Sequence, residues 1–276
     1  MKKVKTQANP VLQKAHFADS YLLNPTNPVS VNVIGAGGTG SRLVTQLAFM
    51  NGQLLALGHP GLQVTLFDDD IISESNTVNQ CFAASEIGLN KAIQKINGIN
   101  RWFGTNWKAV AMLYSSQYLH ELPNASANIF ITCVDKVKAR FDIAEALKIL
   151  HKERSCYLDR PMYWMDYGNS QNTGQVILST VGSIKQPQSK KFIPIGTLPF
   201  VTEEFGEELQ QSDEDAKDLP SCSAAEALEK QDLFINASLI PFGCKILNDL
   251  FRNAFIQIRG AFVNLEDCRV VPVKVA

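Results

Sequence analysis

The chain has no apolar run long enough to cross a bilayer, no C-x-x-C pair, no internal repeat and no cluster of basic residues. The first absence argues against a membrane-spanning helix. The last, with 26 Lys and Arg against 27 Asp and Glu and a formal net charge of -1, argues against a nucleic-acid-binding face built on positive charge. The N-terminal stretch MKKVKTQANPVLQKAHF starts basic but lacks an apolar signal core, so a soluble, cytoplasmic protein is expected. Six cysteines are scattered at Cys81, Cys133, Cys156, Cys222, Cys244 and Cys268. Cys133 and Cys244 lie in apolar segments and read as core residues.

What is present centres on residues 31–40, VNVIGAGGTG. A buried strand that runs into a glycine turn and then a helix from Ser41 makes a phosphate-binding corner. Gly35 permits the tight turn, Gly37 and Gly38 let backbone approach a phosphate, and Gly40 lets the helix pack on the strand. This pattern alone says nucleotide and is shared with NAD- and FAD-binding proteins. The next strand, Gln63–Phe67, ends in Asp68-Asp69-Asp70, where a carboxylate can hold a ribose hydroxyl. The segment around Gly52–Gly61 absorbs the long interval between glycines and aspartate. Asn76, Asn79, Gln80 and Lys91 come next. An amide donor and a compact ammonium suit a triphosphate better than a nicotinamide. Asp135 ends a third apolar strand, where a hard carboxylate beside phosphates suits Mg2+ or caps the next helix.

The order Gly-x-Gly-Gly-x-Gly, Asp-x-Asp, Asn-x-x-x-Gln, Gly-x-x-Lys resembles the ThiF/MoeB adenylating enzymes, relatives of the ubiquitin-activating enzymes. In detail it is most similar to the ThiF family of the plasmid-associated PRTRC cassette. AGGTGS (36–41), GLNKA (88–92), YWMDYGNSQNTGQV (163–176) and PSCSAAEALEKQDLFIN (220–236) carry the likeness. The resemblance implies a Rossmann-like ATP-binding fold and an ATP loop of Gly35, Gly37, Gly38 and Gly40. It implies Asp68 on the ribose, Asn76 and Lys91 on the phosphates, and Asp135 on Mg2+, with Arg140 matching a family arginine. It further implies a homodimer and a small ubiquitin-like β-grasp protein as partner. Some relatives hold zinc through paired C-x-x-C motifs; lacking these, the chain is expected to bind no such zinc. One position departs: Asn79 stands where the family has an arginine that neutralises the triphosphate. An amide cannot replace a guanidinium fork, so either Arg42 or Arg101 substitutes or adenylation is impaired.

Strand and helix alternate over residues 29–150, at Val29–Ile34, from Ser41, Gln63–Phe67, about 90–103, Ala109–Met112, Ile129–Val134 and about 139–152. Such alternation predicts a doubly wound, mostly parallel α/β sheet. The reading is one unit over 1–276, with a nucleotide-binding half (29–150) and a partner-binding and dimerisation half (151–276). The second half is expected to hold strands at Cys156–Leu158 and Gln175–Thr180, a helix over Ala224–Ile256, and a hairpin of Val263–Leu265 with Val270–Val275. The apolar stripe Phe234–Phe255 is expected to pack on the sheet or on a second subunit. Glu203–Asp218, with eight acids and one lysine, reads as a mobile solvated loop. Cys222 just precedes a helix, whose dipole lowers a thiol pKa, making it the candidate thioester nucleophile. Three functions stay open: adenylation of the partner's C-terminal carboxylate, a catalytically impaired nucleotide-binding scaffold, and an NAD-dependent oxidoreductase, which is disfavoured because no hydride-transfer acid/base pair stands out.

Overall fold

A computed structural model of the chain describes residues 12–154, 157–215 and 232–276. In chain order the elements are β1 (Gln13–Phe17), α1 (Ser20–Leu23), β2 (Val29–Ile34), α2 (Gly38–Ala56), β3 (Leu62–Phe67), α3 (Asn76–Asn79), α4 (Lys91–Phe103), β4 (Lys108–Val110), β5 (Ile129–Thr132) and α5 (Val137–Arg154). After these come β6 (Tyr163–Asn169), β7 (Thr173–Thr180), β8 (Phe192–Pro194), α6 (Val201–Glu204), α7 (Gly206–Asp215), α8 (Ile235–Asn253), β9 (Phe255–Ile256), β10 (Ile258–Asn264) and β11 (Arg269–Lys274).

Eight strands form one sheet in the order β11-β10-β7-β6-β5-β2-β3-β4. Pairing is parallel from β4 to β6 and antiparallel from β6 to β11. Side chains alternate across it as the pleat requires. Ile129 and Ile131 of β5 and Tyr163, Met165 and Tyr167 of β6 enter the core under α2, α4 and α8. Phe130 and Trp164 enter the core under α5, with Ile143 and Leu147. A strand buried on both faces needs a near-continuous apolar run, and VNVI within β2 supplies it. Its one polar member, Asn32, is satisfied by donating to the carbonyls of Asn124 and Ala125 at 2.8 and 3.1 Å. The doubly wound, mostly parallel sheet is the fold expected from the sequence.

Chain order reverses at β2. From it the chain moves outward through β3 and β4, then returns to its other side for β5 and β6. A crevice therefore opens beyond the C-terminal ends of β2, β3 and β5, where ligands of such sheets bind. The sheet runs unbroken across residue 150, through the parallel pairing of β5 with β6.

The structure differs from the sequence reading in several places. The helix after β2 begins at Gly38 rather than Ser41; glycine's low helix propensity hides its first turn in the sequence. Tyr157 and Leu158 lie in a turn, and the strand after α5 is β6; Cys156 lies outside the described residues. Of the acidic segment 203–218 read as a loop, 203–204 and 206–215 are helical, as parts of α6 and α7. Glu203, Glu204, Glu207 and Glu208 fall in first turns, where the helix dipole favours carboxylates; 216–218 lie outside the described residues. The long C-terminal helix spans Ile235–Asn253, with 224–231 likewise outside. Its apolar face, including Leu239, Leu247 and Leu250, packs on the sheet and α2, the first of the two placements expected for the Phe234–Phe255 stripe, while Phe234 at its start is exposed.

Candidate functional site

The crevice holds a cavity of about 500 Å3, lined by the glycine turn after β2, by Asp68–Asp70 after β3, and by Cys133–Lys136 after β5. Gly35 makes the turn with φ +96°, and a Cβ there would press on the carbonyl of Cys133 at 2.7 Å. Gly40 lies inside α2, where a Cβ would fall on the Gly35 carbonyl oxygen; it packs helix on strand and does not line the cavity. Gly37 caps α2. It lines the cavity, and a Cβ there would meet nothing within 4 Å, so open space lies against its Cα. The N–H groups of a first helical turn have no intrahelical partner. Here Gly38 and Thr39 carry them on the cavity wall, with the positive end of a 19-residue helix behind them.

Asp68 ties this turn to its neighbour. Its Oδ2 accepts the Ala36 N–H at 2.6 Å and its Oδ1 accepts the Asp70 N–H at 3.0 Å. Burial raises its pKa above the ordinary aspartate value, partly offset by the Ala36 N–H and by the charge of Lys91. Asn90 clips the same loop, donating to the carbonyls of Asp68 and Asp70 at 2.9 and 3.1 Å, while its Oδ1 caps α4 through the Ile93 N–H. That clip sets Lys91, the first residue of α4, against the cavity. Its ammonium meets Asp70 Oδ2 at 2.7 Å, with side-chain exposures of 9% and 66%. A buried ammonium held by an exposed carboxylate is a cation that an incoming anion can share.

Asp135 lines the cavity beyond β5 and is exposed. It caps no helix: α5 starts at Val137. Among the described residues no group of three or more His, Cys, Asp or Glu gathers to hold a metal ion. Mg2+ is commonly held by one or two carboxylates together with substrate phosphates and water, so a single exposed carboxylate across the cavity from the glycine turn fits it.

Other sequence-predicted residues sit elsewhere. Asn76 begins α3, its Oδ1 accepting the Ser73 N–H at 2.9 Å, away from the cavity wall. Asn79 is also off the wall; its Oδ1 is buried without a partner among the described residues, and the wall position falls to Gln80. Arg140 is buried in an ion pair with Asp166 at 3.1 Å and donates to the carbonyls of Val134 and Tyr167. It braces β5 against β6 and does not line the cavity. Arg42 donates from one nitrogen to the carbonyls of Gly38 and Asn79, both at 2.7 Å, which brings a guanidinium against the glycine turn. Arg101 is exposed in the last turn of α4. Cys222 lies outside the described residues.

The structure adds residues the sequence did not single out. Asn236, in the first turn of α8, accepts from Thr39 Oγ1 at 2.8 Å and from Asn169 Nδ2 at 3.2 Å, and it abuts Gly38. All three side chains line the cavity. With 197 positions between Thr39 and Asn236, no local pattern signals the contact. Gln80 Oε1 and Tyr167 OH are buried on the same wall with no hydrogen-bond partner among the described residues. Orphaned polar atoms of this kind are costly unless a ligand or water engages them.

No helix among the described residues is long and apolar enough to cross a membrane. Comparison with curated proteins finds no match. Among solved structures the chain is similar to E. coli MccB crystallised with MccA (TM-score 0.58, 13% identity, 92% of this chain and 64% of that one). It is also similar to E. coli MccB with ATP (TM-score 0.55, 14% identity, 92% and 64%) and to PaaA (TM-score 0.57, 16% identity, 90% and 73%). The chain thus spans slightly under two thirds of the length of MccB. At these identities the likeness is one of fold. The sequence itself matches the ThiF family over residues 21–244. That stretch contains the glycine turn, Asp68, Lys91, Asp135 and Asn236, and the chain belongs to the ThiF family.

Proposed function

We propose that the chain is an ATP-dependent adenylating enzyme that activates the C-terminal carboxylate of a small ubiquitin-like, β-grasp protein. The observation that carries this reading is one cavity lined by the free N–H end of α2, the Lys91 ammonium, Asp68 and Asp135. The MccB structures with ATP and with MccA support a nucleotide and a peptide-like substrate in a related fold. In the reaction a carboxylate oxygen bonds to the α-phosphorus of ATP, the bond to the bridging oxygen breaks, and pyrophosphate leaves. The carboxylate is already a competent nucleophile, so the protein's work is positioning and charge neutralisation. Asp68 takes the ribose hydroxyls. The first-turn N–H groups of α2 and Lys91 take the phosphates. Asp135 holds Mg2+, which neutralises phosphate oxygens when bound. In this reading residues 29–150 form the nucleotide half and 151–276 the partner half of one unit. Two copies pair, through a face other than the covered stripe of α8.

The decisive experiment is ATP–pyrophosphate exchange with the ubiquitin-like protein of the same cassette, alongside calorimetry with ATP and NAD. Partner-dependent exchange and preference for ATP are expected; tighter binding of NAD overturns the reading. The uncharged Asn79 favours a second reading, a scaffold that binds nucleotide without turnover. Binding of ATP with no exchange in either wild type or Asn79→Arg selects the scaffold.

A further inference from the structure

The short segment that carries Gln80 to the nucleotide cavity is held at three backbone points. The Gln80 N–H closes the single turn of α3 on the Asn76 carbonyl at 2.9 Å. Just before it, the Asn79 carbonyl accepts from Arg42 Nη1 at 2.7 Å, and the same nitrogen donates to the Gly38 carbonyl at 2.7 Å. Just after it, the Cys81 N–H donates at 3.2 Å to the hydroxyl of Ser41, a fully buried residue. Gly38, Ser41 and Arg42 all belong to the start of α2. The helix end whose free N–H groups face the cavity is therefore stapled to the chain on both sides of residue 80.

Only the Gln80 side chain is left out of this clamp. It lines the cavity together with Gly38, Thr39 and Lys91, and its amide makes no hydrogen bond with a described residue. Oε1 is the end that is fully buried, which leaves the Nε2 donor toward the cavity. A side chain fixed on a wall by its backbone, with a buried acceptor orphaned, is unfavourable for the fold by itself. Such a fixed donor is preorganised for a ligand.

Resting on the reading of this cavity as an ATP site, we infer that Gln80 donates to the phosphate chain of the nucleotide and that Arg42 is the positioning residue that aims it. Phosphate oxygens need donors, and an amide N–H supplies one without adding charge. Gln80 Nε2 thereby extends a row that the first-turn N–H groups of α2 begin and the Lys91 ammonium ends. Arg42 does not line the cavity. Its Nη1 is committed to two carbonyls, so Arg42 acts through the place it gives Gln80. Asn79 takes part through its carbonyl, while its side chain stays off the wall.

The test is calorimetry with Mg·ATP and NMR titration with adenosine on the full chain, for wild type, Gln80→Leu, Arg42→Ala and the double variant. Gln80→Leu should weaken Mg·ATP binding by about 10- to 150-fold, as loss of a hydrogen bond to a charged group predicts. It should leave adenosine binding unchanged and should not lower Tm, because leucine removes the orphaned oxygen. Gln80→Glu keeps the shape and replaces the donor with a like charge; it should weaken Mg·ATP at least as much. Arg42→Ala should weaken Mg·ATP by no more than Gln80→Leu does, and should add nothing in the Gln80→Leu background. An Arg42→Ala loss that persists in full in that background overturns the positioning role, since a structural brace would act in both. Wild-type Mg·ATP affinity in Gln80→Leu and Gln80→Glu overturns the inference and leaves the ATP reading standing. So does an equal loss for adenosine, which would put Gln80 on the nucleoside. A wild type that binds no Mg·ATP removes the ATP reading and this inference with it.

Discussion

Gly37 and Gly40 lie three residues apart in one turn, yet an alanine at each should fail in a different way. At Gly37, φ is -72° and a Cβ has open space around it. The methyl group costs the fold only the difference between glycine and alanine as an N-cap, roughly 0.5–1 kcal/mol. It does project into the space where a phosphate would approach the backbone. Pushing the phosphate off even one first-turn N–H forfeits a hydrogen bond to a charged group, about 1.5–3 kcal/mol, or about 10- to 150-fold in Kd. At Gly40 the added Cβ falls on the Gly35 carbonyl oxygen. Overpacking of this kind costs about 1–3 kcal/mol, which in a chain of this size lowers Tm by about 2–10 °C. Calorimetry with Mg·ATP and thermal melts on the two variants separate the effects. Gly37→Ala should lose affinity with little change in Tm, and Gly40→Ala should lose Tm. ATP affinity unchanged in Gly37→Ala, or a loss that merely tracks Tm, would refute the assignment of this turn to phosphate.

Asp135→Ala should weaken Mg·ATP binding about tenfold or more and leave Tm unchanged, because no helix cap is lost; a Tm drop with unchanged binding would make Asp135 structural. Arg140→Ala should behave oppositely, destabilising by about 3–5 kcal/mol because it strands the buried Asp166 carboxylate; urea melts check this, and a stable variant that has lost ATP affinity would return Arg140 to the ligand. Stability should also depend on pH through His16, whose Nδ1 donates to the Ile195 carbonyl at 2.7 Å and whose Nε2 accepts from Tyr163 OH at 2.9 Å. Burial lowers its pKa below the ordinary 6.5, partly offset by the Ile195 hydrogen bond and the charge of Asp19. The unfolded chain then binds more protons than the folded one, so this contribution is complete above pH 6.5 and is lost as pH falls through the lowered folded value. Melts from pH 7.5 down to 5 should show a steeper fall for wild type than for His16→Gln; equal slopes would remove His16 from the account.

The sequence alone determined the parallel core of the sheet and three corners of the site. Each is a local event: an apolar run that ends in glycine or aspartate marks both a strand and its C-terminal end. β2 with its glycines, β3 with Asp68 and β5 with Asp135 are legible for that reason, as is Lys91 behind its Asn90 cap. Tertiary structure decided the rest, because those questions concern direction and distant partners. Arg140 and Asn76 have the right residue types, but a side chain's target is set by packing. Arg140 meets Asp166, 26 positions on, while Asn76 closes its own turn. Asn236 reaches Gly38 only because α8 returns across the sheet to lie on α2. The stripe of α8 carried the period of a buried face, and periodicity states that a face is covered without naming what covers it. The sheet and α2 took it, and only Phe234 at its start stays largely exposed, because it precedes the first turn that α8 lays on the sheet.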